Sequence, residues 1–343
     1  MSFERLGDEA TTMDICHART VSQRCERMNQ SGALIERSEE VATALGDGRA
    51  VVALESTILA HGLPYPENLA VGQAIEAAVR ESGAIPATIA VFDGIIKVGL
   101  ETSELEELTS GASRFAKASA RDLGFVLAAG ASAATTVSAT ALVAARAGIR
   151  LFATGGIGGV HRGDQADVSQ DLTMLAGCPV AVVSAGCKAI LDLPRTLEML
   201  ETLGVPVVGH RTRDFPAFYS RSSGLTIDQQ LEEPAEHARF LVSHWALLPN
   251  RGVLIANPIP EDAALDREPI EQAIEIALAR AAERRIKGKA LTPFLLAALA
   301  EITEGRSVVA NRTLAIDNAH LAGQIAVALC GALTCREQVA AER

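Results

Sequence analysis

The sequence predicts an α/β protein with a largely parallel sheet, because short runs of β-branched residues alternate with longer segments of helical periodicity. Residues 50–54 (AVVAL) and 179–183 (PVAVV) are typical of buried strands, and polar residues and a helical pattern follow each of them. The dipeptide Asp93-Gly94 divides the β-rich residues 88–98 (TIAVFDGIIKV), which is the signal of a hairpin. The expected sheet is therefore mixed, with an antiparallel piece added to parallel strands.

One domain is expected to contain nearly all of the secondary structure. Further strand candidates are residues 150–153, 205–208 and 252–256, and the helical candidates include residues 32–45, 67–81, 190–203, 233–248, 270–284 and 319–333. No internal repeat, low-complexity tract or linker divides the chain. We therefore expect an amino-terminal extension over residues 1–31, a single α/β domain over residues 32–335 and a tail over residues 336–343.

The composition excludes several classes of protein. Of the 343 residues 48% are hydrophobic, which is ample for a core, and the net charge of −11 argues against binding nucleic acid. A small anionic metabolite is still compatible with this charge, since a local site can oppose the global sign. The six cysteines form no CxxC pair, and no uncharged apolar run is long enough for a membrane span. We therefore expect a cytoplasmic protein with no membrane partner.

Lys188 is the most reactive candidate in the sequence. It comes shortly after the strand predicted at residues 179–183, at the edge where open α/β sheets bind their ligands. An amine that is partly desolvated there has its charged form disfavoured, which leaves more of it as a free nucleophile able to form a Schiff base. The alternative is a solvated lysine that opens the following helix.

Glu55 is expected at the same edge of the sheet, because it directly follows the strand predicted at residues 50–54. A carboxylate in this position either caps the next backbone turn or serves as a catalytic acid. The reactive amine expected nearby favours the acid.

Three groups of residues are candidates for binding an anionic substrate. Residues 135–138 (TTVS) precede a helical pattern, and hydroxyls with free N–H groups at a helix amino terminus form a site for phosphate. Residues 154–159 (TGGIGG) allow close approach of backbone to a ligand, and His161 and Arg162 follow them. Lys117 precedes another apolar run and is either an anion contact or a solvated charge on a helix.

Asp167 and Asp171 are candidates for binding a metal. The two residues are four apart and would share one face if the segment is helical. Two carboxylate oxygens completed by waters suit a hard cation such as Mg²⁺ or Mn²⁺. Capping of a helix is the alternative role for either carboxylate.

Several separate motifs together resemble one known family. The segments ALESTILAHGLPYPEN, FAKASARDLG, AATTVSATALVAA, TGGIGGVHRG, VSAGCKAILDL and IDNA occur in the order found in the pseudouridine-5'-phosphate glycosidases. With the motifs DVSQDL, ANPIP and TPFLL, the resemblance covers roughly residues 36–329 and leaves only the amino-terminal extension outside. The resemblance implies a three-layer α/β/α fold with a mixed, largely parallel central sheet, a Mn²⁺ site, and assembly as a homotrimer.

The resemblance also implies roles for individual residues. Lys188 matches the nucleophile that forms the Schiff base, Glu55 the proton donor and Asp167 the ligand of the divalent cation, which is Mn²⁺ with Mg²⁺ as the alternative. The implied substrate contacts are Lys117, Val137, Ser169, Gln170 and Asp171, to which we add Thr136, His161, Arg162 and Asn318 as candidates. Two departures affect the expected fit of the substrate: the loop between Arg162 and Asp167 is shorter than in familiar members, and Gln170 stands where alanine is expected.

The implied reaction is the reversible cleavage of pseudouridine 5'-phosphate by water to uracil and ribose 5-phosphate. Two other functions share part of this pattern. A lysine-dependent aldolase acting on a phosphosugar would share the imine and the phosphate site but would release an aldehyde. A sugar-kinase-like or non-catalytic phosphosugar-binding protein would share the layered architecture but would form no covalent adduct.

Overall fold

The computed structural model describes residues 34–163, 167–286, 288 and 291–341. The predicted extension, residues 1–31, lies outside this set. The strands are β1 Ile35–Arg37, β2 Val51–Leu54, β3 Ile85–Phe92, β4 Ile95–Val98, β5 Ala116–Ala118, β6 Ala133–Thr135, β7 Leu151–Ala153, β8 Val160–His161, β9 Ala181–Ser184, β10 Leu191–Asp192, β11 Val207–His210, β12 Gln229–Leu231 and β13 Val253–Ala256. The α-helices are α1 Glu39–Gly46, α2 Thr57–His61, α3 Glu67–Glu81, α4 Thr102–Ser110, α5 Leu123–Ala129, α6 Val137–Ala147, α7 Gln170–Gly177, α8 Leu193–Thr202, α9 Pro234–Leu247, α10 Arg267–Glu283, α11 Leu291–Ile302 and α12 Arg306–Ala341.

In the described part of the chain, eleven strands form one sheet in the order β1-β4-β3-β2-β7-β9-β13-β11-β12, with β6 beside β3 and β5 beside β6. The run from β3 through β2, β7, β9, β13 and β11 to β12 is parallel throughout. Helices cover both faces of this sheet, which confirms the predicted α/β/α class with a mixed, largely parallel sheet. The carboxyl ends of β2, β7 and β9 therefore meet at one edge.

The predicted hairpin is confirmed. β3 and β4 pair antiparallel around Asp93 and Gly94, whose φ angles are 48° and 81°. Positive φ at both central residues is the geometry of a two-residue turn that matches the twist of its strands, and glycine tolerates it best. β6 also pairs antiparallel with β3 and carries the chain to the start of α6.

Helix α12 differs from the prediction. The sequence predicts a final helix over residues 319–333, whereas the observed helix has 36 residues and begins at Arg306. Residues 307–322 contain neither proline nor glycine, so nothing in the backbone ends the helix there. Asn311 and Asn318 therefore lie within α12 and not before it, and residues 336–341 continue it instead of forming a separate tail.

Length and composition would also allow α12 to cross a membrane over Arg306–Thr334, but 56% of its most apolar stretch is buried inside the fold. The helix packs against α3, α9 and β7. Small buried residues at Ala315, Ala319, Ala322 and Ala326 let it lie close to these neighbours. Its apolar character is therefore explained by its position as the central helix of one layer of the domain.

Candidate active site

A cavity of about 520 Å³ opens at the edge where β2, β7 and β9 end. Glu55 directly follows β2, and Lys188 lies four residues beyond the end of β9. Both side chains line the cavity. The prediction that these two residues meet at one edge of the sheet is therefore confirmed in position, as expected for parallel neighbouring strands.

Glu55 is partly buried, and Thr154, the residue after β7, donates a hydrogen bond from its hydroxyl to Oε1 of Glu55. Burial raises the pKa of the Glu55 carboxyl, while the positive charge of Lys188 and the hydrogen bond from Thr154 act in the opposite direction. Burial disfavours the charged carboxylate because it removes solvating water. The side chain is thus placed to hold a proton in the pH range where an exposed glutamate has lost it.

Lys188 is only partly exposed and lies in the turn after β9. Its backbone N–H donates to the carbonyl of Ile157 at 3.1 Å, which fixes the turn against the glycine-rich segment. Helix α8 begins five residues later at Leu193, so Lys188 does not open a helix. The alternative of a solvated helix-opening lysine is wrong.

Gly186 determines the path of the chain into Lys188. Its φ angle is +78°, and a Cβ atom there would lie 2.4 Å from the carbonyl oxygen of Pro216. Any other residue would therefore clash with backbone in addition to adopting a strained conformation. The glycine of the VSAGCK motif is required by close packing beneath the lysine.

Lys117 lies in β5 and lines the same cavity. Burial lowers the pKa of His61 and the positive charge of Lys117 adds to this effect, while the same charge partly offsets the rise that burial causes in the pKa of Glu55. Thr136 and Val137 line the cavity from the start of α6, where Thr136 is the residue before the first helical turn. The three predicted residues are therefore brought together on one side of Glu55.

Asp171 is buried and already occupies the amino terminus of α6. Its Oδ1 accepts a hydrogen bond from the N–H of Ser138 at 2.8 Å, and its Oδ2 accepts one from the N–H of Gly158 at 2.8 Å. The side chain is 6% exposed, although it lines the cavity. An anion from outside would have to share this helix end with a carboxylate that belongs to the protein.

The predicted helical face shared by Asp167 and Asp171 does not exist. Helix α7 begins at Gln170, so Asp171 lies in its first turn while Asp167 precedes the helix. The alternatives for these carboxylates are metal binding and helix capping. Asp171 caps a helix, but the helix is α6 and not its own helix α7. Its contacts are made across the fold, which spacing in the sequence does not reveal.

Ser169 and Gln170 line the cavity at the start of α7. The hydroxyl of Ser169 accepts a hydrogen bond from the N–H of Asp171 at 3.2 Å, and Oε1 of Gln170 accepts one from the N–H of Arg121 at 3.1 Å. The glutamine that stands where alanine is expected thus links two walls of the cavity. Alanine would leave this link unmade.

His161 and Asp167 face each other at the cavity, with 4.0 Å between Nε2 and Oδ2. The Asp167 side chain is 47% exposed. Within the described ranges, no three His, Cys, Asp or Glu side chains come together as a metal cluster. The arrangement fits a hard divalent cation held by one carboxylate with water as the remaining ligands, and it does not fit a cation enclosed by protein.

Arg162 is not brought to the cavity. Its guanidinium donates to the carbonyl of Leu191 at 3.1 Å and to that of Ala189 at 2.9 Å, and it pairs with Glu271. Arg162 therefore fastens the segment after Lys188 to α10 and is not placed to bind phosphate.

Asn318 also lies outside the cavity and is 1% exposed. Its side-chain amide donates to the carbonyl of Thr154 at 2.9 Å and to that of Gly155 at 3.4 Å. It supports the glycine-rich turn from below and is not placed to contact a substrate. Nothing in the spacing of the sequence showed that α12 passes beneath β7.

Several residues of the site were not predicted. A smaller cavity adjoins the first and shares Glu55, Lys117 and Lys188 with it; its wall also includes His61, Phe218 and Asn311. In the described structure, Nε2 of His61 is buried without a hydrogen-bond partner. The sequence offers one signal for both residues, which is their position after a strand. His61 comes shortly after the strand end that carries Glu55, and Thr154 directly follows β7.

Comparison with known proteins agrees with this fold. The profile of the family described as Indigoidine synthase A like protein matches residues 40–328. The pseudouridine-5'-phosphate glycosidase of Caldanaerobacter subterraneus is 56% identical over 297 residues, covering 86% of this chain and 96% of that protein. The enzyme of the same name from Sorangium cellulosum is 51% identical over 294 residues, covering 85% and 92% respectively.

Two solved structures share the fold. The prealnumycin C-glycosynthase AlnA, determined in complex with ribulose 5-phosphate, is 40% identical, with a TM-score of 0.81 over 88% of this chain and 98% of its own. An indigoidine synthase A-like protein from Thermotoga maritima is 38% identical, with a TM-score of 0.79 over 87% and 97%. Fold and sequence profile thus define an α/β protein of the indigoidine synthase A class.

Within that class, the chain belongs to the pseudouridine-5'-phosphate glycosidase family, and it is an enzyme.

Proposed function

We propose that this chain catalyses the reversible cleavage of the C–C glycosidic bond of pseudouridine 5'-phosphate, giving uracil and ribose 5-phosphate through an imine on Lys188. The observation that carries the proposal is that Lys188 and the raised-pKa carboxyl of Glu55 line one cavity. Relatives 48–56% identical are named for this activity, and the neighbour AlnA is a C-glycosynthase solved with a pentulose phosphate.

The substrate explains why an acid and an amine are needed. A C-glycoside has no leaving-group oxygen to protonate, so a pair of carboxylates acting on an acetal does not cleave it. In the proposed first step, Glu55 gives its proton to the ring oxygen of the ribose. The C1'–O bond opens, and the uracil ring conjugated to C1' shares the electron deficiency.

Lys188 then forms a bond from its neutral amine to C1' and loses a proton. The bond between C1' and the uracil carbon breaks, its electron pair stays with uracil, and a proton is added to that carbon. C1' is left as an imine on Lys188, which water hydrolyses to ribose 5-phosphate and the free amine. The overall reaction consumes one water molecule and needs no oxidant or reductant.

The phosphate is expected to bind beside Lys117, Thr136 and Val137, where Ser169 and Gln170 also line the cavity. Because Asp171 already holds an N–H at the start of α6, the cationic amine of Lys117 would supply the charge in this region. Phosphate held away from the reacting carbon orients C1' towards Lys188. Arg162 does not line the cavity and is not proposed as a phosphate contact.

A Mn²⁺ ion, with Mg²⁺ as the alternative, is part of the proposal. Asp167 would hold it through its carboxylate, with waters as the other ligands, and His161 would lie beside it. A bound cation would supply positive charge that polarises substrate oxygens through its waters. We also propose a cytoplasmic homotrimer; exposed apolar side chains such as Phe125 and Leu247 are compatible with assembly, and the described cysteines are free thiols.

The test is product analysis with pseudouridine 5'-phosphate. Chromatography should show uracil and ribose 5-phosphate in equal amounts for the wild type, and none for Lys188→Ala. Lys97→Ala is the matched control, since Lys97 pairs with Glu36 and Glu104 outside the cavity. Aldehyde without uracil would indicate the aldolase, and phosphoryl transfer that requires a nucleotide would indicate a kinase; either would refute the proposal.

A further inference from the structure

The carboxyl group of Glu55 has two oxygens, and among the described residues a hydrogen-bond donor is found for one of them, Oε1. Thr154 Oγ1 donates to Oε1. If Glu55 is a general acid, its proton must lie on an oxygen that can face the substrate. An oxygen that already accepts a hydrogen bond is the poorer position for that proton, because the two hydrogens would face each other.

The backbone of Thr154 is held by hydrogen bonds on both sides. Its N–H donates to the carbonyl of Val183 at 3.1 Å, and its carbonyl accepts from Asn318 at 2.9 Å. The side chain is buried and, unlike that of Glu55, it is not part of either cavity wall. Thr154 therefore contacts the acid without contacting the space where a substrate would bind.

A buried amide pair anchors this arrangement from the far side of the sheet edge. Oδ1 of Asn318 accepts from Nδ2 of Asn257 at 3.0 Å, and the same nitrogen of Asn257 donates to Asp317 at 2.7 Å. Asn257 directly follows β13, and its N–H donates to the carbonyl of Ser184 at the end of β9. The ends of β7, β9 and β13 are thus joined by polar contacts below the cavity.

We propose that Thr154 is a positioning residue for Glu55: held by Asn318 and Asn257, its hydroxyl binds Oε1 and leaves Oε2 to carry the proton that goes to the substrate. This inference rests on the proposed function, in which Glu55 is the acid. It adds a residue that has no direct part in the chemistry. It also gives Asn318 a purpose in the site although it lies outside the cavity.

The test compares Thr154→Val, which replaces the hydroxyl by a methyl of similar size, with Thr154→Ser, which keeps the hydroxyl. Thr154→Val should lower kcat about 10-fold to 100-fold with little change in KM, because proton transfer is impaired while binding is not. The hydrogen bond from Thr154 favours the carboxylate, so its loss should also move the basic limb of the pH profile to higher pH. Thr154→Ser should restore both quantities.

Thr109→Val is the matched control, since Thr109 is also buried, its hydroxyl donates only to the carbonyls of Leu105 and Glu106 within α4, and it lines neither cavity. Wild-type kcat and pH profile in Thr154→Val would overturn the inference, as would a lower kcat with an unmoved basic limb, which would indicate packing alone. Thr154→Ser impaired as much as Thr154→Val would overturn it as well.

A second readout separates this inference from the proposed function. Titration of the Glu55 carboxyl by NMR of protein carrying ¹³C-labelled glutamate, assigned with Glu55→Gln, needs no turnover. A higher Glu55 pKa in Thr154→Val than in wild type supports the hydrogen bond even if no uracil is formed. An equal pKa in both proteins contradicts the inference even if the wild type is an active glycosidase.

Discussion

Asp171 Oδ1 accepts a hydrogen bond from the N–H of Ser138 at 2.8 Å, so the first turn of α7 supplies a negative charge to the amino terminus of α6. Its second oxygen holds the N–H of Gly158 in the glycine-rich turn. One carboxylate thus joins three segments of the cavity wall. A buried carboxylate with two backbone donors is expected to matter to folding as well as to the site.

Asp171→Ala should therefore lower the free energy of unfolding by about 3 kcal/mol, because two buried N–H groups lose their partner. Asp192→Ala is the comparison, since Asp192 caps α8 through a single hydrogen bond to the N–H of Arg195 and should cost only about 1 kcal/mol. Urea unfolding followed by circular dichroism measures both values. Equal losses in the two variants would show that the second contact of Asp171 contributes nothing.

The burial of Glu55 should be visible in stability as well as in activity. Its pKa is raised in the folded protein, so between the unfolded and folded values the folded state binds more protons, and stability falls as pH rises through that window. Glu55→Gln should lack this fall while losing about 100-fold or more in kcat. Unfolding midpoints of the wild type and of Glu55→Gln at pH 5 and pH 8 test the predicted loss of stability. Midpoints that change equally with pH in the two proteins would contradict it.

Many residues at the edge of the sheet that forms the cavity could be predicted from the sequence, because the end of a strand can be recognised from the local sequence. Glu55 directly follows one β-branched run and Lys188 comes four residues after the end of another strand, so the sequence predicts the position of both. The roles of Asp171 and Arg162 could not be predicted. Their partners, Ser138 and Glu271, are distant in the chain, and nothing in the spacing encodes such contacts.

The same limit explains the errors in the last helix and in the helical face expected for Asp167 and Asp171. Local signals end a helix only where proline, glycine or a cap is present, and α12 continues through residues 307–322 because packing against the sheet supports it. The four-residue spacing of Asp167 and Asp171 indicated a shared face only on the assumption that both are helical. The chain enters α7 at Gln170, between the two.

A buried histidine pair outside the cavity predicts how the stability of the fold depends on pH. Nδ1 of His210 and Nε2 of His237 are 3.2 Å apart, and burial lowers the pKa of His237 from 6.5 to about 4, with the charge of His210 adding to the effect. Between these values the unfolded chain binds a proton that the folded protein does not, so stability should fall as pH drops from 6.5 towards 4.

His237→Gln should lose the part of this dependence that His237 contributes, whereas His320→Gln, a change at a half-buried position of α12 outside the pair, should keep it. Thermal unfolding midpoints at pH 7, 6 and 5 would measure the difference. The prediction is wrong if the midpoint of His237→Gln falls with acid as steeply as that of the wild type.

Asp167 offers a direct test of the proposed cation. Asp167→Ala should abolish the stimulation by Mn²⁺ of enzyme first treated with chelator, because the one carboxylate proposed as ligand is gone. Asp262→Ala removes an exposed carboxylate outside the cavity and should respond to Mn²⁺ like the wild type. Calorimetric titration of Mn²⁺ into both variants supplies a readout independent of activity. Unchanged Mn²⁺ binding by Asp167→Ala would remove this residue from the cation site.

The central claim is that Lys188 forms an imine with the sugar phosphate. The most direct measurement is sodium borohydride reduction of the protein mixed with ribose 5-phosphate, followed by peptide mass spectrometry. A reduced pentose phosphate adduct on the peptide that contains Lys188, present in Lys97→Ala and lost in Lys188→Ala, is the predicted result. An unmodified Lys188 in protein shown by calorimetry to bind ribose 5-phosphate would contradict the covalent mechanism.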